Sequence, residues 1–289
     1  MSTGILYMAP GEEYVDEAIQ SAHSVTEVMP DIETTVATDT TEMDLSAFDQ
    51  IIEYEFERKE VDGRTWLLNS TIPPDLSPYD KTLFLDSDTY VAADVSEVFN
   101  LLDDFDLAMT PSPKRTQVEE LPEPWHRFNC GVIAYRDTPQ VREFLGNWND
   151  IYRERLPKQD SPIDQPAFAI ALAESDLRWF NLPRQYNVRV PRRGHLSREA
   201  KIIHGRHPAG LERVAEVLNE SHRHRIYRDR SWWSNKTHKV YDRGTIRYHV
   251  ERTLSSYGPR TLAGVSLAYA ADKLFGTSFM DRYDGYEIG

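Results

Sequence analysis

A chain of 289 residues with 40% apolar content is long enough to bury a full core and too apolar to be disordered throughout. Its net charge of −14 is unevenly spread: residues 1–220 carry 21 Lys and Arg against 40 Asp and Glu, whereas residues 221–289 carry 12 against 7. The acidic part would repel nucleic-acid phosphates, which argues against a nucleic-acid partner, while the basic end suits an anionic surface.

The N-terminal stretch MSTGILYMAP has no basic segment ahead of a long apolar one, and no run approaches the ~18 apolar residues of a membrane span. The single cysteine, Cys130, lies in an apolar run with no internal disulfide partner, as a buried thiol in a reducing compartment would. A cytoplasmic protein is expected.

In chain order, strand and helix patterns alternate as an α/β sheet requires. Gly4 to Met8 reads as a first strand, and Tyr14, Val15, Ala18, Ile19, Ala22 and Val25 follow at helical spacing. Ile32 to Thr38 and Gln50 to Phe56 are β-branched or aromatic runs bounded by polar clusters. Trp66 to Leu68 reads as the end of a second helix, stopped before Pro73-Pro74.

Lys81 to Leu85 is an apolar strand that ends in two carboxylates, Asp86 and Asp88. Side chains at i and i+2 of a strand share a face, so both can converge on one hard cation and, through it, on a diphosphate. The same Asp-Ser-Asp-Thr run is also good turn chemistry. Asp94 to Leu102 reads as a short capped helix and Phe105 to Met109 as a strand; the polar, proline-rich Thr110 to Arg127 is too long for a routine connection and is expected to border a substrate site. Phe128 to Tyr135 forms the strand that holds Asn129, Cys130 and Gly131. Thr138-Pro139 then opens a helix whose stripe Val141, Phe144, Leu145, Trp148, Ile151 and Tyr152 is core packing. Asp164-Gln165-Pro166 opens another helix, with Asp164 also suited to capping it; Leu182-Pro183-x-x-Tyr186-Asn187 and the strand Lys201 to His204 complete the patterned part.

The carboxylate pair, Asn-x-Gly, Asp-Gln, Leu-Pro-x-x-Tyr-Asn and the strand ending in His204, in this order and at these intervals, resemble the retaining glycosyltransferases of family 8. The resemblance covers roughly residues 3–208. It implies a GT-A fold, a mixed, mainly parallel sheet flanked by helices, and an enzyme that moves a hexose from a UDP-sugar to a glycan or lipid-linked hydroxyl. It also implies that Asp86, Asp88 and His204 hold Mn²⁺ or Mg²⁺, a donor set that suits these ions. By the same resemblance Asp164, Gln165 and Asn129 lie at the reacting sugar, and Tyr7 and Ala9, in the turn after the first strand, contact the base. The family's upstream arginine is replaced by Asn69, with Arg64 five residues earlier. Its lysine-proline-tryptophan ending is absent, and Arg206 stands as the replacement diphosphate ligand; His207 is a rival to His204.

Two other readings compete. A strand ending in Asp-x-Asp also occurs in phosphohydrolases of the haloacid dehalogenase type, although there it follows the first strand and the fifth residue is not a tyrosine. A catalytically silent nucleotide- or glycan-binding protein of the same fold is the second, since fold does not dictate function. The domain boundary is expected near Asn219, between a catalytic domain (1–219) and a C-terminal extension (220–289). In that extension Arg, His, Trp232-Trp233 and several tyrosines precede an amphipathic helix from Thr261 to Phe275. This part is expected either to touch the inner face of the membrane peripherally or to pack on the catalytic domain.

Overall fold

The computed structural model describes residues 1–228 apart from 62, 113–117, 159–161, 191 and 193, together with the backbone of 239–242. The extension's Trp232-Trp233 and the helix expected from Thr261 to Phe275 lie outside the described residues.

Strand β1 (Thr3–Ala9) leads into helix α1 (Glu12–Val28), and β2 (Glu33–Thr38) returns parallel to β1. Strand β3 (Gln50–Glu53) continues the parallel order on the outer edge. Next comes a departure from the sequence reading. Trp66 and Leu67, from the Trp66 to Leu68 stretch expected to end a helix, belong instead to β5 (Arg64–Leu67) of an antiparallel hairpin with β4 (Arg58–Val61). The turn carries Gly63 at φ 71°, a conformation that glycine adopts without steric cost, and Trp66 turns its ring into the core.

The middle of the sheet is β6 (Lys81–Leu85), parallel to β1 on one side and antiparallel to β9 (Phe128–Arg136) on the other. Between them in sequence lie β7 (Thr89–Val91), α2 (Glu97–Leu101) and β8 (Leu107–Pro111). Beyond β9 come α3 (Pro139–Arg155), α4 (Gln165–Glu174) and β10 (Trp179–Asn181), which gives a seven-stranded sheet of order β10-β8-β9-β6-β1-β2-β3. Thr138 caps α3 as its sequence suggests, its hydroxyl accepting from the Val141 amide.

Both sheet faces are covered, so the central strands read as unbroken apolar runs. Their side chains still divide with period two. Leu6 and Met8 of β1 and Phe84 of β6 pack with Phe144, Trp148 and Phe168 of α3 and α4. Ile5, Tyr7, Leu83 and Leu85 pack with Val15, Ala18 and Ala22 of α1. The Trp148 and Phe168 rings meet edge to face at 5.0 Å, a contact worth about 0.5–1.5 kcal/mol beyond area burial.

A small second sheet sits at the carboxyl end of β6. It consists of β11 (Val188–Arg189), β13 (Ile202–His204) and β7, with β13 between the other two. A third sheet joins β12 (Gly194–Leu196) to β14 (Arg225–Arg228) and β15 (Lys239–Asp242). Helix α5 (Leu211–Asn219) packs Val214, Ala215 and Leu218 against Val188 and Ile203, and Tyr227 of β14 is buried in the same cluster. Asn219, at the expected boundary, bonds through its amide to both backbone groups of Ala200. The packed body therefore runs past Asn219 at least to Tyr227. No helix among the described residues is long and apolar enough to cross a membrane.

Candidate functional site

Three elements deliver the candidate metal ligands. Strand β6 ends at Leu85 and the turn after it carries Asp86 and Asp88; β7 then pairs antiparallel with β13, with Thr89 opposite His204. The Gly205 amide donates to the Asp88 carbonyl at 2.8 Å and locks the two segments together. His204 Nε2 consequently lies 3.2 Å from Asp86 Oδ2 and 3.2 Å from Asp88 Oδ1. One donor atom from each of the three residues falls within 4.8 Å of the others, the compact set a single cation requires. The rival His207 lies instead in the wall of a neighbouring cavity of about 580 Å³.

His204 is fully buried, and its other nitrogen is already committed. Nδ1 lies 2.9 Å from Asn187 Oδ1, an acceptor that fixes the proton on Nδ1 and turns the Nε2 lone pair to the carboxylates. Asn187 in turn donates to Asn129 Oδ1 at 2.8 Å. A buried relay thus links two of the sequence motifs to the histidine. Burial works to lower the His204 pKa, but the two carboxylates, which would accept from a proton on Nε2 in the metal's absence, outweigh it and the net direction is upward. For Asp88 burial works upward, and the His204 ring, followed by Arg189 and Arg206, holds the carboxyl below the usual range.

Gly131 explains the glycine of Asn-x-Gly. Its carbonyl accepts from the Asp86 amide at 2.9 Å, so β9 runs directly behind the cluster. A Cβ there would sit 2.1 Å from His204 Cε1 and 2.2 Å from Asp86 Oδ2. The site exists in the volume that glycine leaves open.

The cluster forms one end of a cavity of about 310 Å³ whose wall includes Asn129 and Gln165, as the motifs imply, together with Met8, Pro10, Tyr14 and Arg206. Arg206 donates to both carboxylate oxygens of Glu17 and lies with its guanidinium carbon 5.5 Å from the centre of the Tyr14 ring. Two base-contact expectations need correction. Tyr7 and Ala9 point to the α1 face of the sheet and are fully buried, Tyr7 with its hydroxyl 3.1 Å from Ser21 Oγ. The side chains that reach the cavity from this turn are Met8, one step out of phase with Tyr7, and Pro10, with Tyr14 from the first turn of α1. Asn69 also differs from expectation: its amide bonds to the Glu57 N–H, the Glu55 carbonyl and the Tyr54 hydroxyl, and so braces the loop before β4.

Asp164 stands at the start of α4 but makes no side-chain cap bond. Its carboxyl lies beside the Cys130 thiol and within range of the Asp86 charge; burial first, then that charge, pushes its pKa from 3.8 to about 6. A raised carboxyl contributes stability that is complete below the unfolded value and lost as pH rises through the folded one, here between 3.8 and about 6. Asp164→Asn removes that loss. The variant should therefore be more stable than the parent at pH 7, by about 1–2 kcal/mol after allowance for partial exposure, and should show no such gain at pH 3.5. Thermal melts at the two pH values measure this, and a variant that melts lower at pH 7 would return Asp164 to a capping role.

Sequence reasoning missed two residues of the site, Asn187 as partner of the histidine and Arg189. The guanidinium of Arg189 enters the same cavity, with Nη1 2.5 Å from His204 Nε2. Asn187 is visible within the Leu-Pro-x-x-Tyr-Asn pattern, but nothing local marks Arg189.

No protein-family model and no curated protein matches the chain. Among solved structures, the glycosyltransferase GlyE of Streptococcus pneumoniae aligns at 18% identity with a TM-score of 0.49, over 64% of this chain and 46% of GlyE. The galactosyltransferase LgtC, solved with donor and acceptor sugar analogues, aligns at 14% identity with a TM-score of 0.51, over 75% of this chain and 94% of LgtC. With its mixed, mainly parallel sheet between helices and a carboxylate-histidine cluster at the end of the central strand, the chain has the GT-A fold of LgtC.

Proposed function

We propose that the chain is a metal-dependent glycosyltransferase that moves a hexose from a UDP-sugar to a hydroxyl of a glycan or lipid-linked acceptor, with retention of anomeric configuration. The observation that carries this reading is the meeting of Asp86, Asp88 and His204 at the end of the central strand, facing a cavity large enough for a nucleotide diphosphate. Two carboxylate oxygens and one imidazole nitrogen suit Mn²⁺, with Mg²⁺ as substitute, and the Asn187 bond to Nδ1 makes Nε2 the nitrogen a metal would use. When bound, the cation would neutralise charge on the departing diphosphate.

The chain's own residues supply the rest. Arg206 is placed to leave Glu17 for a phosphate oxygen, a bidentate exchange that guanidinium geometry favours. The half-exposed Tyr14 ring, with Met8 and Pro10, offers a stacking wall for the base. Asn129 and Gln165 provide polar groups for the sugar hydroxyls, and Asp164, above its usual pKa, sets the electrostatics beside the anomeric carbon. In the transfer the bond from the anomeric carbon to the diphosphate oxygen breaks, one to the acceptor oxygen forms on the same face, and the acceptor's hydroxyl proton passes to the departing diphosphate. The reaction belongs in the cytoplasm, with the basic, aromatic C-terminal extension bringing the chain to the inner membrane face when the acceptor is lipid-linked.

The test is a melting panel of nucleoside diphosphates and nucleotide-sugars with and without Mn²⁺. A true donor at 100 times its Kd stabilises the folded chain by about 2.7 kcal/mol. UDP and a UDP-hexose should raise the melting temperature only with the metal present, and NMR of the first product should show the donor's anomeric configuration. If no nucleotide shifts the melt, the transferase reading falls.

The Asn187 relay carries its own prediction. Asn187→Leu keeps the branched shape but removes the acceptor for His204 Nδ1, and should weaken Mn²⁺ binding by about 10–100-fold in calorimetric titration. Asn187→Asp retains the acceptor and should lose less.

A further inference from the structure

Strand β11 is only two residues long, yet it places Arg189 directly beside His204. The two strands are parallel and in register, with Val188 opposite Ile203 and Arg189 opposite His204. The Arg189 side chain reaches across to the histidine, with Nη1 2.5 Å from Nε2 and 3.2 Å from Nδ1. Because Nδ1 is bonded to Asn187, Nε2 is the nitrogen that a metal would use, and it is the one the guanidinium approaches most closely. Nε2 also faces Asp86 and Asp88, so the guanidinium lies against the histidine of the candidate cation site.

An imidazole nitrogen binds first-row cations at about 2.0–2.1 Å. A cation at that distance from Nε2 and a guanidinium nitrogen 2.5 Å from the same atom are crowded together, and their like charges repel. Arg189 must therefore leave Nε2 when a cation binds. The cavity into which it turns is the one expected to hold the diphosphate, and displaced from the histidine the guanidinium needs an anionic partner.

We propose that Arg189 is a built-in cation that stands against the ligating histidine before the metal binds and moves to the donor's diphosphate once the metal is bound, so that metal and nucleotide bind cooperatively. This rests on the transferase reading for the identity of the anion. Without nucleotide the arginine competes with the metal. With nucleotide it joins the metal in neutralising the diphosphate, and the two affinities are coupled by linkage. The residue thus tunes the order of loading: metal alone binds weakly, and metal with nucleotide binds well.

The test is calorimetry on the full chain, with Mn²⁺ alone, UDP alone and UDP in saturating Mn²⁺. Arg189→Met keeps the length and loses the charge. It should tighten binding of Mn²⁺ alone by about 5-fold or more and weaken binding of UDP in saturating Mn²⁺ by about 10-fold or more, so that the coupling between them shrinks. Arg189→Lys keeps a charge without the bidentate fork and should fall between parent and Arg189→Met on both measures; it serves as the folded control if Arg189→Met melts early. Unchanged or weaker binding of Mn²⁺ alone in both variants would overturn the proposal, as would unchanged UDP affinity in saturating Mn²⁺. A parent chain that takes Mn²⁺ but no UDP points to a different failure, that of the transferase reading itself.

Discussion

Asp88→Asn should abolish metal-dependent nucleotide binding while leaving the fold in place. The substitution keeps size and polarity but removes a charged oxygen from a three-ligand set, and the loss should exceed the roughly 10–100-fold seen when only an outer partner of a metal ligand is removed. Calorimetry with UDP and Mn²⁺ reads the effect directly, and a melt without ligand checks the fold. Asp88 is buried enough that its replacement also releases the His204 ring from one of its two carboxylate neighbours. Parent-like UDP affinity in the variant would remove the metal from the site.

Gly131→Ala should do similar damage by a different route. The added methyl falls 2.1 Å from a ring carbon of His204 and 2.2 Å from an Asp86 oxygen, far inside contact distance, with strand β9 held on both sides by β6 and β8. Overpacking of this kind costs about 1–3 kcal/mol, and the relief available is to push the histidine and the carboxylate apart. The variant should lose Mn²⁺ binding by at least about 100-fold with only a moderate fall in melting temperature. Equal Mn²⁺ affinity in parent and variant would mean that the cluster is looser than its geometry implies.

Much of this site is legible in sequence because its parts lie at strand ends. The apolar runs before Asp86 and His204 are fully buried strands, and a strand that ends inside the sheet delivers the next few residues to the ligand crevice. Asn129 and Gln165 likewise come from strand and helix starts. The side chains of Tyr7 and Ala9 miss the cavity for a related reason: β1 is apolar on both faces, so its pattern cannot say which parity looks into the cavity, and Met8 is the side chain that lines it. Trp66 to Leu68 reads as helix only if Asp62-Gly63 is passed over, although that pair between two short polar-apolar runs is a hairpin signal. Asn69 occupies the expected interval, but its bonds to the loop at 54–57 are tertiary and leave no local trace. Arg189 is the hardest to find. Its two-residue strand is too short to show a period, and the pairing that sets it beside His204 joins segments 15 residues apart.

Tyr227 gives the site a history as well as a shape. Its ring lies where Gly194 lacks a side chain, 2.2 Å from the position a Cβ would take, and packs in the cluster that holds Val188 and Ile203, the neighbours of Arg189 and His204. A chain emerging from the ribosome can pair β1, β2 and β6 and present both carboxylates long before residue 227 has been made. The strands that hold the histidine and arginine take part of their backing from α5 and the rest from β14, whose docking against β12 is a long-range step that comes after the local ones. The last of the support behind the histidine and arginine is therefore supplied late in the chain, and a chain interrupted before β14 would lack it.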